Sequence, residues 1–297
     1  MRILLTGATS TVSRGMIPIL QRAGHEIVLH DIVRLPDNDL FRGIPFVQGD
    51  IQAGIGLERA AQGCDLIIHT PAWHGIHWRD KTEADFWRLN VDGTFWTFQA
   101  AVGAGIERVV FLSSMAWYGH YDKYGFTKQL GEELCEYYRR NHAIRFVAIR
   151  PHDFTPWGSD YTNRYGARLL HGGVDWEDVL DCTRLAVEKL TPELPPDTET
   201  EKIVVQAVRA NAFTEAQIAD WTTNPLQACE CIFPGATPLI EKYKIRIEDK
   251  PSLVEAGEGA AEIGYTPRHH FGTFLDNLRK LDNEGGESAV AAMRCPY

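Results

Sequence analysis

The chain alternates short apolar runs of strand length with longer segments of helical spacing, and this alternation limits the folds that are open to it. The apolar runs occupy residues 2–6, 26–30, 45–48, 65–69, 109–112, 144–150 and 202–208. Strands that alternate with helices of this length predict a parallel sheet with helices on both faces. We therefore expect an α/β fold with a doubly wound parallel sheet and a small C-terminal substrate lobe.

Composition and charge narrow the class of protein. A chain of 297 residues can bury one large core or two unequal lobes, and its formal charge of −10 argues against a nucleic-acid partner. No apolar run approaches the length of a membrane span, and the first residues are too few for a signal sequence. The six cysteines are scattered and do not form a disulfide framework. These features predict a cytoplasmic enzyme with no membrane partner.

One stretch carries the candidate chemistry. A strand is expected to end at Ser113 and Ser114, and a helix follows in which Tyr124 and Lys128 lie one turn apart. An ammonium beside a phenol favours the phenolate, so such a tyrosine can exchange a proton with a substrate hydroxyl. The serine hydroxyl can hold the same substrate oxygen. The competing interpretation is an exposed helical Tyr/Lys pair with no catalytic role.

The first strand runs into a turn and a helix, the context of a dinucleotide site. The residues that would face the cofactor there are Gly7, Thr9, Ser10, Thr11 and Val12. Asp31 follows the second strand, where a carboxylate accepts hydrogen bonds from the adenosine ribose and repels a 2′-phosphate. Asp31 therefore favours NAD over NADP, and Arg34 nearby could soften that preference. A solvated loop carboxylate is the alternative for Asp31.

These segments together resemble the extended short-chain dehydrogenase/reductase family, the NAD-dependent sugar epimerases and dehydrogenases. The family's Ser-Ser-x-x-x-Tyr-Gly strand end matches residues 113–119, and its Gly-Tyr-x-Pro matches residues 264–267. The resemblance covers about residues 1–281 and implies a Rossmann-type sheet, NAD as cofactor, and a catalytic set of Ser114, Tyr124 and Lys128. The family's glycine-rich turn is matched only at residues 6–7, because Ser10 and Ser13 stand where two glycines are expected.

The resemblance also implies roles for other residues. Asp50 and Ile51 would lie against the adenine, Asn90 would brace the region of the catalytic lysine, and the segment after the sixth strand would flank the nicotinamide. The cofactor contacts implied in this way are Asp50, Ile51, His69, Thr70, Pro71, Ala72, Asn90, Tyr124, Lys128, Pro151 and Asp153.

The substrate side rests on a histidine- and tryptophan-rich loop and on the branch of the family. His74 and His77 lack a carboxylate or cysteine partner at ligand spacing, so we favour a substrate loop and expect no metal. Residues 167–175 look most like the uronate dehydrogenase branch, where Arg168 would hold a substrate carboxylate; a surface arginine is the alternative. The candidate substrate contacts are Trp73, His74, Ser114, Met115, Tyr124, His152 and Arg168.

The expected organisation has three parts. Residues 1–150 with a return at 173–208 form the NAD-binding domain, residues 151–172 and 209–281 form the substrate lobe, and residues 282–297 form a flexible tail. The family often dimerises through two long helices, here about 83–104 and 124–141, so we expect a homodimer. The predicted function is hydride transfer between NAD and a hydroxyl or carbonyl of a small sugar, sugar acid or polyol. A nucleotide-sugar epimerase and, less strongly, a non-catalytic NAD-binding regulator are the alternatives.

Overall fold

The computed structural model describes residues 1–116, 122–154, 161–191 and 202–292, without the side chains of residues 161–164. Its centre is one seven-stranded sheet. The strands are β1 (Arg2–Thr6), β2 (Glu26–Asp31), β3 (Phe46–Gln48), β4 (Leu66–His69), β5 (Arg108–Leu112), β6 (Arg145–Pro151) and β7 (Lys202–Ala207). Their order is β3-β2-β1-β4-β5-β6-β7, and β1 pairs in parallel with both β2 and β4. The predicted Rossmann-type α/β fold is therefore confirmed.

Helices flank the sheet and connect its strands. They are α1 (Thr11–Arg22), α2 (Leu57–Ala61), α3 (Glu83–Phe86), α4 (Gly93–Ala104), α5 (Lys123–His142), α6 (Tyr161–His171), α7 (Trp176–Lys189), α8 (Pro225–Ile232), α9 (Thr237–Tyr243), α10 (Glu258–Ile263) and α11 (Phe271–Ala291). A π-helical segment, Trp87–Asp92, joins α3 to α4. The helix predicted over residues 83–104 thus exists, with a widened turn that contains Asn90. Among the described residues, no helix is both long and apolar enough to cross a membrane.

The strand order places the candidate site. The chain leaves β1 on one side towards β2 and β3 and later returns on the other side of β1 to form β4. In parallel sheets, ligands bind outside the carboxyl ends of the strands where the order reverses in this way. The carboxyl ends of β1 and β4 are Thr6 and His69, which are register partners. The predicted cofactor turn at Gly7 therefore lies at this switch point.

The chain divides into two compact units, each with its own apolar core. Unit 1 comprises Met1–Arg150, Leu180–Val205 and Gly257–Gly264; unit 2 comprises Pro151–Val179, Gln206–Ala256 and Tyr265–Tyr297. The return to unit 1 is thus shorter than the predicted 173–208. It is supplemented by α10, in which the close approach of Gly259 to the Val204 carbonyl would leave no room for a Cβ.

The C-terminal region differs from the sequence prediction. The flexible tail predicted from residue 282 is wrong up to Ala291, because α11 continues to that residue with one non-helical position at Gly286. Asp282 accepts hydrogen bonds from Lys242 and Tyr243 of α9, and Val290 is buried. Residues 293–297 lie outside the described chain, as do residues 117–119 of the predicted strand-end motif.

Earlier in unit 2, residues 215–223 form a series of hydrogen-bonded turns. The Gln217 side chain accepts from the backbone and hydroxyl of Thr214. Trp221 is fully buried, and its indole N–H donates to the Ile247 carbonyl at 2.6 Å.

Candidate active site

Gly7 opens the turn after β1 in a conformation that requires glycine. Its φ is +69°, and a Cβ there would lie 2.8 Å from Thr70 Oγ1 and 2.9 Å from Pro71 Cγ. Residues with a side chain rarely adopt this backbone conformation, and the contact distances leave no room for a Cβ. Thr70 and Pro71, predicted as cofactor contacts, therefore pack directly against the turn.

Two serines take the places of the missing glycines and join a cluster of hydroxyls. Ser10 caps α1 by accepting from the Ser13 N–H at 3.2 Å. Thr70 Oγ1 lies 2.8 Å from Ser10 Oγ and 3.1 Å from Ser13 Oγ, and it donates to the Thr6 carbonyl at 2.8 Å. These bonds tie the end of β4 to the start of α1. The Ser10 hydroxyl is thus engaged in holding the turn.

The start of α1 offers backbone donors. The first N–H groups of a helix have no acceptor within the helix, and the helix dipole favours an anion at this end. Thr11 and Val12 occupy the first two helical positions, and Val12 is 5% exposed. Val12 can thus reach a cofactor only through its backbone.

Asp31 ends β2 beside this turn. One carboxylate oxygen accepts from the Thr9 N–H at 2.8 Å and the Thr9 hydroxyl at 2.9 Å, and the other accepts from the Val33 N–H at 2.9 Å. The residue is 7% exposed. The three bonds fix a carboxylate at the position predicted to read the ribose.

The residues expected near the adenine have structural partners. Asp50 caps a short 3₁₀ turn (Ile51–Ala53) by accepting from the Gln52 N–H at 2.9 Å. Ile51 is buried, and a Cβ on Gly93 of α4 would lie 3.3 Å from its side chain. The Ile51 side chain therefore packs in the apolar core of unit 1.

His69 was predicted as a cofactor contact, but its side chain lies in the core. Its ring nitrogens are 3.0 Å from Thr6 Oγ1, 3.2 Å from Thr97 Oγ1 and 3.1 Å from Thr94 Oγ1. Burial, together with repulsion from Lys128, lowers the pKa of His69 to about 3. Its imidazole is a neutral packing group that joins β4 to α4, so only its backbone can face a cofactor. The neighbouring Ala72 is half-buried.

Asn90 connects three segments from within the π-helical turn. Its amide N–H group donates to the Trp73 carbonyl at 2.9 Å and to Thr127 Oγ1 at 2.9 Å, and its oxygen accepts from the Trp73 N–H at 2.8 Å. Asn90 is 2% exposed. It therefore fixes Trp73 against the residue that precedes Lys128 in α5.

The central residues lie at the carboxyl end of β5 and in the first two turns of α5. Ser114 Oγ accepts from the Ala116 N–H at 3.1 Å, which leaves its hydroxyl proton to donate. The Lys128 ammonium donates to the carbonyl of Leu112, the last residue of β5, at 2.6 Å. Burial lowers the pKa of Lys128 to about 8, although the negative charge of Glu132 opposes this effect. Tyr124 is half-buried, one turn before Lys128.

The histidine- and tryptophan-rich loop after β4 lies beside Tyr124. The His74 and Phe86 rings are each 6.4 Å from the Tyr124 ring, centroid to centroid. Burial, with repulsion from His77 and Lys128, lowers the pKa of His74 to about 4, so its imidazole is neutral near pH 7. His77 Nδ1 accepts from the His74 N–H at 3.1 Å. Met115 is half-buried directly after Ser114.

Four predicted site residues belong to unit 2. Pro151 ends β6, and His152 Nδ1 lies 2.6 Å from the Gly172 carbonyl. Arg168 of α6 forms an ion pair with Asp153 at 2.9 Å, in which the Arg168 side chain is 13% exposed and that of Asp153 is 53% exposed. Arg168, which was predicted to bind a substrate carboxylate, is thus paired with the carboxylate of Asp153.

Sequence reasoning missed a buried ionic group behind the central residues. Glu132 accepts from Arg150 Nε at 2.7 Å and Nη2 at 2.5 Å, and it also accepts from the Ser113 hydroxyl. It joins β5, α5 and β6 directly behind Ser114. The signal was present, because Glu132 follows Lys128 at the i, i+4 spacing that places both on one helix face.

One cluster of metal-ligand types occurs among the described residues, in unit 2. Asp175, Glu177 and His269 bring one ligand atom each within 4.8 Å of one another. His269 Nδ1 also lies 3.2 Å from the buried Asp178, and donation to that carboxylate raises the pKa of His269. The raised pKa favours a protonated His269 beside these carboxylates. The cluster lies apart in sequence from the predicted substrate loop.

Comparison with known proteins agrees with the observed fold. Residues 3–170 match the NAD dependent epimerase/dehydratase family. The chain belongs to this family. Its members include NAD-dependent dehydrogenases and epimerases.

Individual relatives differ in how much of this chain they cover. Uronate dehydrogenase of Pseudomonas syringae pv. tomato is 25% identical over 213 residues, which cover 65% of this chain and 71% of that protein. Short-chain dehydrogenase/reductase family 42E member 1 of Xenopus laevis is 32% identical over 117 residues, which cover 38% of this chain and 29% of that protein. A crystal structure of UDP-galactose 4-epimerase matches with a TM-score of 0.66 and 19% identity, and covers 94% of this chain and 99% of that one. The last similarity shows a shared fold.

The residues of unit 1 fit the family's cofactor, NAD. The Gly7 turn is compact, with no room for a Cβ against Thr70 and Pro71, and α1 begins shortly after it at Thr11. Asp31 holds a fixed carboxylate at the end of β2. A compact turn, a helix N-terminus and this carboxylate are the elements that hold a pyrophosphate and an adenosine ribose.

Proposed function

We propose that the protein is an NAD-dependent oxidoreductase that transfers a hydride between the cofactor and a hydroxyl-bearing carbon of a small sugar, sugar acid or polyol. NAD supplies the hydride acceptor when it is bound. Tyr124 acts as the general base that takes the hydroxyl proton during oxidation and returns it during reduction. Ser114 donates its hydroxyl proton to the same substrate oxygen.

The environment of Lys128 carries this proposal. Lys128 is 4% exposed and stands one helical turn after Tyr124. Its ammonium lies 2.6 Å from the carbonyl of Leu112, which ends β5 two residues before Ser114. Burying an ammonium is costly unless it is hydrogen-bonded or paired with an opposite charge. Here the ammonium donates to the Leu112 carbonyl, lies 5.2 Å from the centre of the Phe111 ring, and has the negative charge of Glu132 nearby. A positive charge held at this place favours the phenolate of Tyr124.

The substrate class rests on two observations. The sequence between Ser114 and Tyr124 is short compared with the loop that covers nucleotide sugars in the family, which favours a smaller substrate. Arg168 is mostly buried and pairs with the more exposed carboxylate of Asp153. A substrate carboxylate can take the place of Asp153 on that guanidinium, since both offer the same planar pair of oxygens. This favours a sugar acid.

The test is a screen of aldoses, sugar acids, polyols and nucleotide sugars with NAD, followed through NADH absorbance. We expect NADH to accumulate with a small sugar or sugar acid, and Tyr124→Phe to lower turnover by about 10²–10⁴ with little change in NAD affinity. Tyr137→Phe, at an exposed tyrosine of the same helix, is the matched control. Full turnover in Tyr124→Phe would refute the assigned role.

Epimerisation of a nucleotide sugar is the second candidate, because the family contains epimerases. An epimerase regains its oxidised cofactor in every cycle, whereas a dehydrogenase must exchange it. We expect purified protein to contain little nucleotide and to depend on added NAD. Stoichiometric NAD in the heat-released supernatant, with no NADH formed on any sugar, would favour the epimerase.

We further propose a homodimer that uses the outer faces of the π-helical segment Trp87–Asp92, of α4 and of α5. Large apolar side chains are exposed there at Trp87 (45%), Trp96 (40%) and Tyr137 (53%). Isolated exposed apolar residues are normal, but several on adjacent helices are typical of an interface. Light scattering after gel filtration should give twice the chain mass for the wild type, and Trp87→Glu should shift the protein towards the monomer.

A cytoplasmic location is the corresponding proposal for the compartment. Cys64, Cys135, Cys182, Cys229 and Cys231 are all free thiols. Free thiols persist in a reducing compartment. Fractionation of the native host, with blotting for the chain, tests this location.

A further inference from the structure

The loop after β4 folds into a compact aromatic segment, residues 73–82, that we call the aromatic loop. Its short 3₁₀ turn spans Gly75–His77. The His77 ring packs edge-on against those of Trp73 and His74 at 4.8 and 4.6 Å, and the Lys81 ammonium lies 4.3 Å above the Trp73 ring. These contacts organise the loop internally, but they do not fix it to the rest of unit 1.

Lys123 attaches the far end of the aromatic loop to α5. Its ammonium donates to the Trp78 carbonyl at 3.0 Å and to the Lys81 carbonyl at 2.6 Å. The same ammonium lies 4.6 Å from the centre of the Trp78 ring and 5.0 Å from that of Phe86. A lysine has three N–H donors on a flexible stem, so one side chain can make both bonds and still lie over a ring.

The near end of the loop is attached to the same helix by a different residue. Asn90 holds the backbone of Trp73 by two hydrogen bonds and reaches Thr127 by a third. Lys123 and Thr127 stand on either side of Tyr124 in sequence, within the first two turns of α5. The aromatic loop is therefore held at both ends to the helix segment that carries the candidate proton carrier.

We propose that Lys123 is a positioning residue that clamps the aromatic loop over Tyr124 and thereby sets where the substrate lies relative to the phenol. The consequence for substrate rests on the proposed function; the clamp itself does not. Lys123 precedes Tyr124, so the same turn of helix that presents the phenol also fixes the loop. His74, 6.4 Å from Tyr124 between the rings' centres, is the side chain that the clamp brings to the substrate.

Hydrogen exchange on the ligand-free protein tests the clamp directly. In Lys123→Met, amide exchange in the peptides that cover residues 73–82 should rise about tenfold or more, while exchange in β1, β4 and β5 stays at the wild-type rate. Lys189→Met, at a half-buried lysine near the end of α7, is the matched control. Unchanged exchange in residues 73–82 would overturn the proposal, whether or not a substrate has been found.

Kinetics test the consequence for substrate. Lys123→Met should raise the KM for the sugar substrate about tenfold, with a smaller fall in kcat and an unchanged Kd for NAD. Lys123→Arg should recover most of the wild-type KM, because a guanidinium can also donate to two carbonyls and lie over a ring. If Lys123→Met does not fold, Lys123→Arg serves alone: loop exchange at the wild-type rate together with a tenfold higher KM would refute the positioning role, because the loop would then be held in place while substrate binding is lost. Faster loop exchange with wild-type KM and kcat would refute it as well.

Discussion

Replacing Lys128 by methionine should reveal the free energy spent on burying its amine. Burial lowers the pKa of Lys128 from 10.5 to about 8. Between these pH values the unfolded chain binds more protons than the folded protein, so stability rises with pH through this window. The cost of burial is complete below pH 8 and disappears above pH 10.5. The difference of about 2.5 between the two pKa values corresponds to about 3 kcal/mol at neutral pH.

About 2 kcal/mol of this cost should be recovered between pH 7 and pH 9.5 in the wild type, and none in Lys128→Met, which has no amine to titrate. The advantage of the variant over the wild type should therefore shrink by about 2 kcal/mol over this range. The Leu112 carbonyl loses its partner in the variant, which costs about 1–3 kcal/mol at both pH values alike. Titrating groups that do not interact with Lys128 cancel in the comparison.

The assay is urea unfolding followed by far-UV circular dichroism at pH 7 and pH 9.5. Lys280→Met, at an exposed lysine of α11, is the matched control, because it removes an amine from solvent instead of from the core. It should leave the pH dependence of stability close to that of the wild type. A stability difference between Lys128→Met and wild type that is the same at both pH values would refute the claim that the ammonium is held at a cost.

Three further predictions concern binding. Asp31→Asn should bring the Kd values of NAD and NADP closer together, measured by calorimetry, because the fixed carboxylate no longer repels a 2′-phosphate; an unchanged ratio would remove Asp31 from the ribose site. Gly7→Ala should weaken NAD binding at least tenfold and lower the Tm, because its Cβ would lie 2.8 Å from Thr70 Oγ1 at a φ of +69°; wild-type values of both would contradict the described turn. Arg168→Met should raise the KM of a sugar acid about tenfold and leave that of the matching neutral sugar unchanged, and equal effects on both would show that Arg168 does not bind the carboxylate.

The sheet could be predicted because each strand is a short apolar run between helical segments. All seven strands lie within a residue of the predicted positions, since a strand buried on both faces leaves a direct record in the sequence. The helix of Tyr124 and Lys128 was also found from its spacing. The continuation of the C-terminal helix beyond residue 281 was not, because Gly285 and Gly286 interrupt a polar segment whose order depends on contacts of Asp282 with α9.

The polar contacts of the site were harder to predict. Asn90 reaches Trp73 and Thr127 across long separations in sequence, and Lys123 reaches the carbonyls of Trp78 and Lys81. Backbone carbonyls carry no sequence signal, so a side chain that bonds to them cannot be paired from residue types. For His69, the sequence predicted the position at a strand end but not the direction of the side chain. The ring points towards three threonine hydroxyls in the core, and that direction depends on packing.

The double attachment of the aromatic loop has a consequence for protein engineering. Its two fastenings, the Asn90 amide and the Lys123 ammonium, bind mainly backbone atoms of the loop. Residues 74–77 and 79–80 can therefore be exchanged as a cassette while Trp73, Trp78 and Lys81 keep the ends in register. A library confined to those six positions would vary the side chains beside Tyr124 and leave the attachments of the loop to Asn90 and Lys123 unchanged.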